Sequence, residues 1–254
     1  MTVEVIRAAA LAGLPHGFLG RRGGVSTGLC EGLNTGFGAD DERDAVIENR
    51  RRAVNAVAPG ARLVSVHQIH SPKCATVTEL WSDEKRPRAD ALITDLPGLA
   101  LSIVTADCVP VLFADRESGV IGAAHAGWKG AFAGVIANTV AAMEKLGADR
   151  SHITAAVGPC IARKSYEVDD GLFRRFAEAE PANERFFTLG RPGHYQFDLE
   201  AYVLSRLAEV GVTRAEALGL DTYADPDRFF SFRRATHKDE PTYGRQLSLI
   251  ALPG

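Results

Sequence analysis

The chain has 254 residues, with 29 Lys and Arg against 32 Asp and Glu and a formal net charge of -3. That balance gives no general field to attract nucleic acid or an anionic membrane surface, so the expected partner is a small molecule. The longest apolar run falls far short of the roughly 20 residues that cross a bilayer, and Met1 to Leu14 is an Ala-rich start without a charged-then-apolar signal segment, so the expected location is the cytoplasm.

In chain order, a helix is predicted over Arg43 to Ala58, with Asp40 and Asp41 ahead of it and Pro59 closing it. Short extended segments follow at Leu63 to Ile69, Ala75 to Leu80 and Ala89 to Thr94. The nearly all-apolar Leu99 to Val104 and Val109 to Ala114 suit strands buried on both faces. Strand Val120 to His125 leads through Gly127 into a predicted helix, Lys129 to Leu146, capped by Gly147. Ile153 to Val157 and a helix near Gly171 to Glu178 come next, then a helix capped by Asp198 whose apolar face is Leu199, Tyr202, Val203, Leu207 and Val210. Strands Phe229 to Phe232 and Gln246 to Leu252 end the chain, with exposed loops expected at Asp83 to Arg88 and Thr236 to Pro241. No repeat or linker divides the sequence, which predicts a single catalytic domain over residues 1–254. Strands outnumber helices and several adjoin directly, which predicts an α+β fold with mixed sheets.

Cys30, Cys74, Cys108 and Cys160 are widely spaced and form no C-x-x-C, which argues against a disulfide framework or a closed zinc knuckle. Three segments place a reactive residue among turn-forming neighbours at the end of a predicted strand: His67 to Ser71, Thr105 to Pro110 and Ala124 to Gly130. His67 and His70 fall on opposite faces of an extended chain, so one of them faces a site, and His70 beside Ser71 and Pro72 is the better placed. The thiolate of Cys108 with the imidazoles of His70 and His125 makes a three-ligand set for Zn²⁺ with one position open, the pattern of a catalytic ion. Asp107 is a candidate to orient an imidazole or move a proton. The same donors describe a copper site, although Met1 and Met143 lie far from them in sequence and seven His without any H-x-H do not suit a multicopper oxidase. A metal-free alternative makes Cys108 a nucleophile activated by His125, with His70 or Asp107 as the orienting group. For an anion, the paired glycines of Arg21 to Ser26 beside two guanidinium groups suit phosphate, with Arg50, Arg233 and Arg234 as possible additions.

Taken together, R-x-G-G-V-S, Leu33-Asn34, Glu48 to Arg50, Gln68 to His70, A-D-A-L-I-T, T-A-D-C-V-P-V-L, A-H-A-G-W-K-G, G-P-C-I, Y-E-V and F-F-S-F-R-R resemble one family over Arg21 to Leu249. That family was first labelled multicopper polyphenol oxidase or laccase-like, and has since been described as purine nucleoside phosphorylases with adenosine deaminase activity. The resemblance implies zinc held by His70, Cys108 and His125 and purine nucleosides and phosphate as substrates, and the expected catalytic set is these three residues with Asp107. The leading expectation puts phosphate on Arg21 and Arg50, with Asn34 and Lys129 completing the substrate-binding set. The resemblance also implies a layered α+β sandwich shared with cysteine-dependent toxin deamidases, and some members are peptidoglycan-editing factors, which makes an amidase the second expectation. A copper-binding oxidase or a non-catalytic metal protein is the third. Three places depart from the family pattern: Asp221 where Cys is frequent, Lys129 where Arg is usual, and the longer stretch Thr236 to Pro241.

Overall fold

The computed structural model describes residues 2–253. Its elements are β1 (Val5–Ile6), β2 (His16–Leu19), α1 (Arg43–Val57), β3 (Arg62–Ser65), β4 (Cys74–Thr76), β5 (Ala91–Thr94), β6 (Leu99–Thr105), β7 (Val109–Asp115) and β8 (Val120–Ala126). There follow α2 (Trp128–Phe132), α3 (Val135–Lys145), β9 (Thr154–Val157), β10 (Glu167–Asp169), α4 (Asp170–Ala179), β11 (Phe187–Leu189) and β12 (His194–Phe197). The chain finishes with α5 (Leu199–Glu209), β13 (Arg214–Ala217), α6 (Phe232–His237) and β14 (Gln246–Ala251).

The α+β expectation holds. A five-stranded sheet runs β1-β2-β14-β6-β3, a six-stranded sheet runs β13-β9-β7-β8-β5-β4, and β10-β12-β11 form a small antiparallel sheet. Both large sheets are mixed, since β3 pairs parallel with β6, β4 with β5 and β13 with β9 while their other pairs are antiparallel.

Period-two alternation sorts the strand residues into layers. Leu112 and Ala114 of β7 and Leu92 of β5 meet Phe18, Leu101, Ile103 and Ile250 of the other sheet in one apolar cluster. From the same strands Val111, Phe113, Ala91 and Ile93 face the opposite way, onto Ile136, Val140 and Met143 of α3 and Tyr202 and Val203 of α5. On the far side of the molecule Leu247 and Leu249 of β14 cover Ala53 and Val57 of α1. Strands buried on both faces therefore appear as uninterrupted apolar runs, and β6, β7 and β8 sit where those runs predict them.

Two local expectations are corrected. The helix predicted from Lys129 to Leu146 is two helices, because the chain turns at Gly134, whose φ of +96° only glycine adopts without strain. Phe229 to Phe232 is not a strand: the Ser231 hydroxyl accepts a hydrogen bond from the Arg234 N–H, capping α6, and Phe232 is its first helical residue. Among the described residues no helix is long and apolar enough to cross a membrane.

Candidate metal centre and active site

The two large sheets present their loops at a common end. His70 lies in the loop between β3 and β4, Cys108 in the link that carries the chain from β6 in one sheet to β7 in the other, and His125 near the end of β8. Register places His125 opposite Pro110 and Ala126 opposite Val109, which brings the Cys108 link beside β8.

One donor atom from each of His70, Cys108 and His125 lies within 4.8 Å of the others, the single such cluster of three or more His, Cys, Asp or Glu residues among the described residues. Cys108 Sγ is 3.9 Å from His70 Nε2, and the two imidazole rings meet edge to face with centroids 4.7 Å apart. Ligands arranged tetrahedrally around zinc stand about 3.6 Å apart for a sulfur–nitrogen pair, so the Cys108–His70 pair is within a few tenths of an ångström of that spacing. Backbone crowding sets this spacing. A Cβ on Gly127 would stand 2.8 Å from Cys108 Sγ and 2.9 Å from His70 Cδ2, so the glycine of H-A-G-W is the wall against which both side chains rest.

Asp90 positions the two histidines. It is fully buried immediately before β5, whose first residue, Ala91, pairs with Ala124 of β8. His125 Nδ1 donates to Asp90 Oδ1 at 2.9 Å, which fixes the tautomer that leaves Nε2 free as a ligand. The same carboxylate accepts from the N–H groups of Ile69, His70 and Ser71 and from Ser71 Oγ. Those bonds hold His70 in the left-handed region, at φ +58°. Burial pushes the Asp90 carboxyl up, yet the hydrogen bonds from His125 and Ser71 outweigh it and bring the group down to about 2. Burial likewise pushes the Cys108 thiol up, but the adjacent His125 reverses this and favours the thiolate, while that thiolate and Asp90 favour the imidazolium against the burial of His125.

The orienting role expected of Asp107 belongs to Asp90 in this geometry, because the Asp107 carboxylate is taken up elsewhere. Thr222 Oγ1 donates to its Oδ1 at 2.7 Å, and Ser231 Oγ and the Arg233 N–H donate to Oδ2 at 2.9 and 2.6 Å. These contacts tie α6 to the Cys108 link and stabilise the φ of +86° at Asp107, while burial raises its pKa.

Two lobes open on the cluster, both lined by His70, Ala106, Cys108 and Phe232. One, of about 350 Å³, has largely apolar walls including Trp128, Tyr166, Ile161 and Leu199, with Lys129 and Arg233 at its edge. The other, of about 550 Å³, carries Arg50, Arg86 and Arg245 together with His67, Gln68 and Tyr243. Phe232, half exposed, stands between them and packs on Tyr243 with centroids 5.2 Å apart.

Of the expected substrate residues, Arg50 and Lys129 line these lobes and two do not. Arg21 donates to the carbonyls of Glu31 and Pro226 and covers the Phe230 ring, bordering a separate cavity with Arg234 and Lys238. Asn34 is fully buried and satisfied internally: its amide donates to Asp41 and its oxygen accepts from the N–H groups of Gly36 and Arg245, a turn-forming role. Asp221 braces a neighbouring loop, accepting from the Ala162 and Tyr223 N–H groups and from Ser165 Oγ. Sequence reasoning missed Asp90, Arg86 and Arg245. The signals available were an acid at the head of an apolar run, an arginine within a stretch read as exposed loop, and another shortly after such a stretch.

The fold and site define a class: a two-sheet α+β sandwich with a His-Cys-His cluster, able to hold a metal ion, at the shared end of its sheets. The family model described as multi-copper polyphenol oxidoreductase laccase matches residues 15–253, and the chain belongs to that family. It is 40% identical over 223 residues to a purine nucleoside phosphorylase of Streptomyces coelicolor, covering 87% of this chain and 90% of that one. A purine nucleoside phosphorylase of Deinococcus radiodurans is 39% identical over 255 residues, covering 99% and 94%. Among solved structures, a Neisseria meningitidis protein superposes with a TM-score of 0.89 at 33% identity, over 100% of both chains. The protein YlmD of Geobacillus stearothermophilus superposes with a TM-score of 0.89 at 30% identity, over 100% of this chain and 97% of its own.

Proposed function

We propose that this chain is a single catalytic domain acting as a zinc-dependent purine nucleoside phosphorylase, which also deaminates adenosine. The observation that carries the reading is the position of the His70-Cys108-His125 cluster at the junction of an aromatic lobe and an arginine lobe. A planar base and an anionic co-substrate need those two environments, meeting at the reacting carbon. The relatives named purine nucleoside phosphorylase support the same class.

In phosphorolysis a phosphate oxygen bonds to C1′ of the ribose as the C1′–N9 bond breaks, and the purine leaves with the electron pair and takes up a proton. Trp128, Tyr166 and Phe232 offer faces on which the base stacks, which excludes water and aligns C1′ toward the cluster. The arginine lobe holds the nucleophile's negative charge against the sugar. Lys129, beside Trp128, is placed to donate to an acceptor of the base. In deamination water adds at C6 and ammonia leaves. His70, Cys108 and His125 would hold a zinc ion, and the ion would supply Lewis acidity to that addition.

Incubating the pure protein with adenosine and phosphate and separating the products tests the reading. Adenine with ribose 1-phosphate, together with inosine, is expected, and their absence above a Cys108→Ser control overturns it. The sequence of contacts Asp90–His125–Cys108 favours one second reading, an amidase in which Cys108 attacks an amide carbon and His125 carries the proton to the leaving amine. Amide hydrolysis blocked by thiol alkylation but not by a chelator would identify it.

A further inference from the structure

Arg233 lines the aromatic lobe with Cys108, Tyr166 and Phe232 and takes no part in lining the arginine lobe. Both ends of the residue are fixed. Its N–H donates to Asp107 Oδ2 at 2.6 Å, and its Nη1 donates to the Glu167 carbonyl at 2.6 Å, with the guanidinium over the Tyr166 ring at 5.1 Å. The acids nearby are engaged elsewhere. The Glu167 carboxylate meets Arg191 Nε at 2.8 Å, and the Asp107 carboxylate is filled by the Thr222 and Ser231 hydroxyls and the Arg233 N–H. The Arg233 guanidinium therefore forms no ion pair among the described residues and rests on a carbonyl and a ring face. Its charge is felt inside the lobe: burial pushes the Tyr166 phenol up and the Cys108 thiolate adds to this, while Arg233 opposes them.

A second cation borders the same lobe. Lys129 Nζ stands 5.5 Å from the Trp128 ring centroid and also forms no ion pair among the described residues. A neutral nucleoside has no net charge to match two cations in an aromatic-walled space. Charge arises on the base only when the C1′–N9 bond breaks and its electron pair passes into the ring. A guanidinium fixed in place beforehand attracts that charge more strongly than it attracts the neutral base, and an interaction of this kind lowers the barrier rather than only tightening binding.

We propose that Arg233, fixed by Asp107 and the Glu167 carbonyl, holds the negative charge of the departing purine. The inference rests on the phosphorylase reading and assigns the group that stabilises its leaving base. The bond formed joins a phosphate oxygen to C1′ and the bond broken is C1′–N9, whose electron pair stays with the purine. The guanidinium keeps all its protons, as its high basicity requires, and the purine anion takes its proton from water.

The test is calorimetric titration of free xanthine into the full-length, metal-replete protein across the pH range in which xanthine becomes an anion, with adenine, uncharged throughout, as the reference base. The variants are Arg233→Gln, Lys129→Gln and Arg175→Gln; Arg175 is exposed on α4, 5.6 Å from the Trp128 ring centroid and outside the lobe, and controls for the general field. Relative to adenine, the wild-type affinity for xanthine should rise about tenfold or more as the anion forms, the size of one charge-assisted contact. Arg233→Gln should abolish that rise with adenine binding and metal content unchanged, while Lys129→Gln and Arg175→Gln keep it. A wild type that shows no rise overturns the proposal without recourse to any variant, as does a rise that survives in Arg233→Gln. If Arg233→Gln does not fold, Lys129→Gln decides: a rise that persists there with and without the metal ion upholds the proposal, and its loss overturns it. In turnover, Arg233→Gln should lower kcat for inosine about a hundredfold and spare a nucleoside methylated at N7 of the base, which leaves uncharged. Equal slowing of both would keep the phosphorylase reading and remove this proposal. The xanthine pattern in a protein that forms no ribose 1-phosphate would uphold the contact between Arg233 and a purine anion and remove the phosphorylase reading.

Discussion

Replacing Asp90 by Asn tests whether one buried carboxylate assembles the site. Its two oxygens serve the N–H groups of Ile69, His70 and Ser71, the Ser71 hydroxyl and His125 Nδ1. An Asn side chain keeps the volume but supplies only one acceptor oxygen. If its amide nitrogen takes the place of Oδ2 it meets the Ser71 N–H, and if it takes the place of Oδ1 it meets the His70 N–H and His125. Either way at least one buried donor loses its acceptor and the rest lose a charged one, a cost of about 2–4 kcal/mol. For a chain of this length that lowers Tm by roughly 4–16 °C. The loosened His125 ring and His70 loop should weaken metal affinity by about tenfold to hundredfold. Calorimetry of the metal-free protein gives the first number and competition with a chelator the second. An Asp90→Asn variant matching the wild type in both would refute the claim that this carboxylate sets the ligand geometry.

Gly127→Ala places a methyl group inside contact distance of Cys108 Sγ and His70 Cδ2, so dialysed protein should retain far less than one bound ion while losing about 1–3 kcal/mol of stability; full occupancy by metal analysis would contradict it. Phe232→Ala should raise the nucleoside KM by about fivefold to a hundredfold, the range set by base–aromatic stacking, with Tm nearly unchanged because the ring is 50% exposed. Asp115, buried at the end of β7, accepts from the N–H groups of Glu117, Ser118 and Asp149, and although burial raises its pKa these bonds prevail and lower it. Its contribution is therefore present above the unfolded value of about 3.9 and lost as pH falls through the lower folded value. Denaturant unfolding followed downward from about pH 5 should show a shallower acid loss in Asp115→Asn than in the wild type, and equal slopes would exclude the role.

Legibility in the sequence followed how local the determining physics is. The runs that became β6, β7 and β8 were readable because burial on both faces imposes apolar residues at every position. The break at Gly134 was not, since glycine is tolerated inside helices and only the packing of α3 on β8 requires the turn there. The ligand segments were readable because each joins a reactive residue to turn chemistry. Arg21 misled because a guanidinium beside paired glycines looks the same whether it faces an anion or, as here, two backbone carbonyls. Asp90 was missed in favour of Asp107 for a similar reason: which carboxylate meets an imidazole depends on the pairing of β5 with β8, a contact between residues 35 positions apart.

The crossing of the chain from β6 to β7 makes the site a gauge of how the two sheets sit on each other. His70 follows a strand of one sheet, His125 belongs to the other, and Cys108 lies on the span between them. Neither sheet alone can present the three donors at their required spacing. During refolding, competence to capture an ion should therefore appear only after the sheets dock, later than the strand signal in circular dichroism. Substitutions such as Leu112→Ala, deep in the inter-sheet cluster, should then blunt ion capture while most of the secondary structure survives.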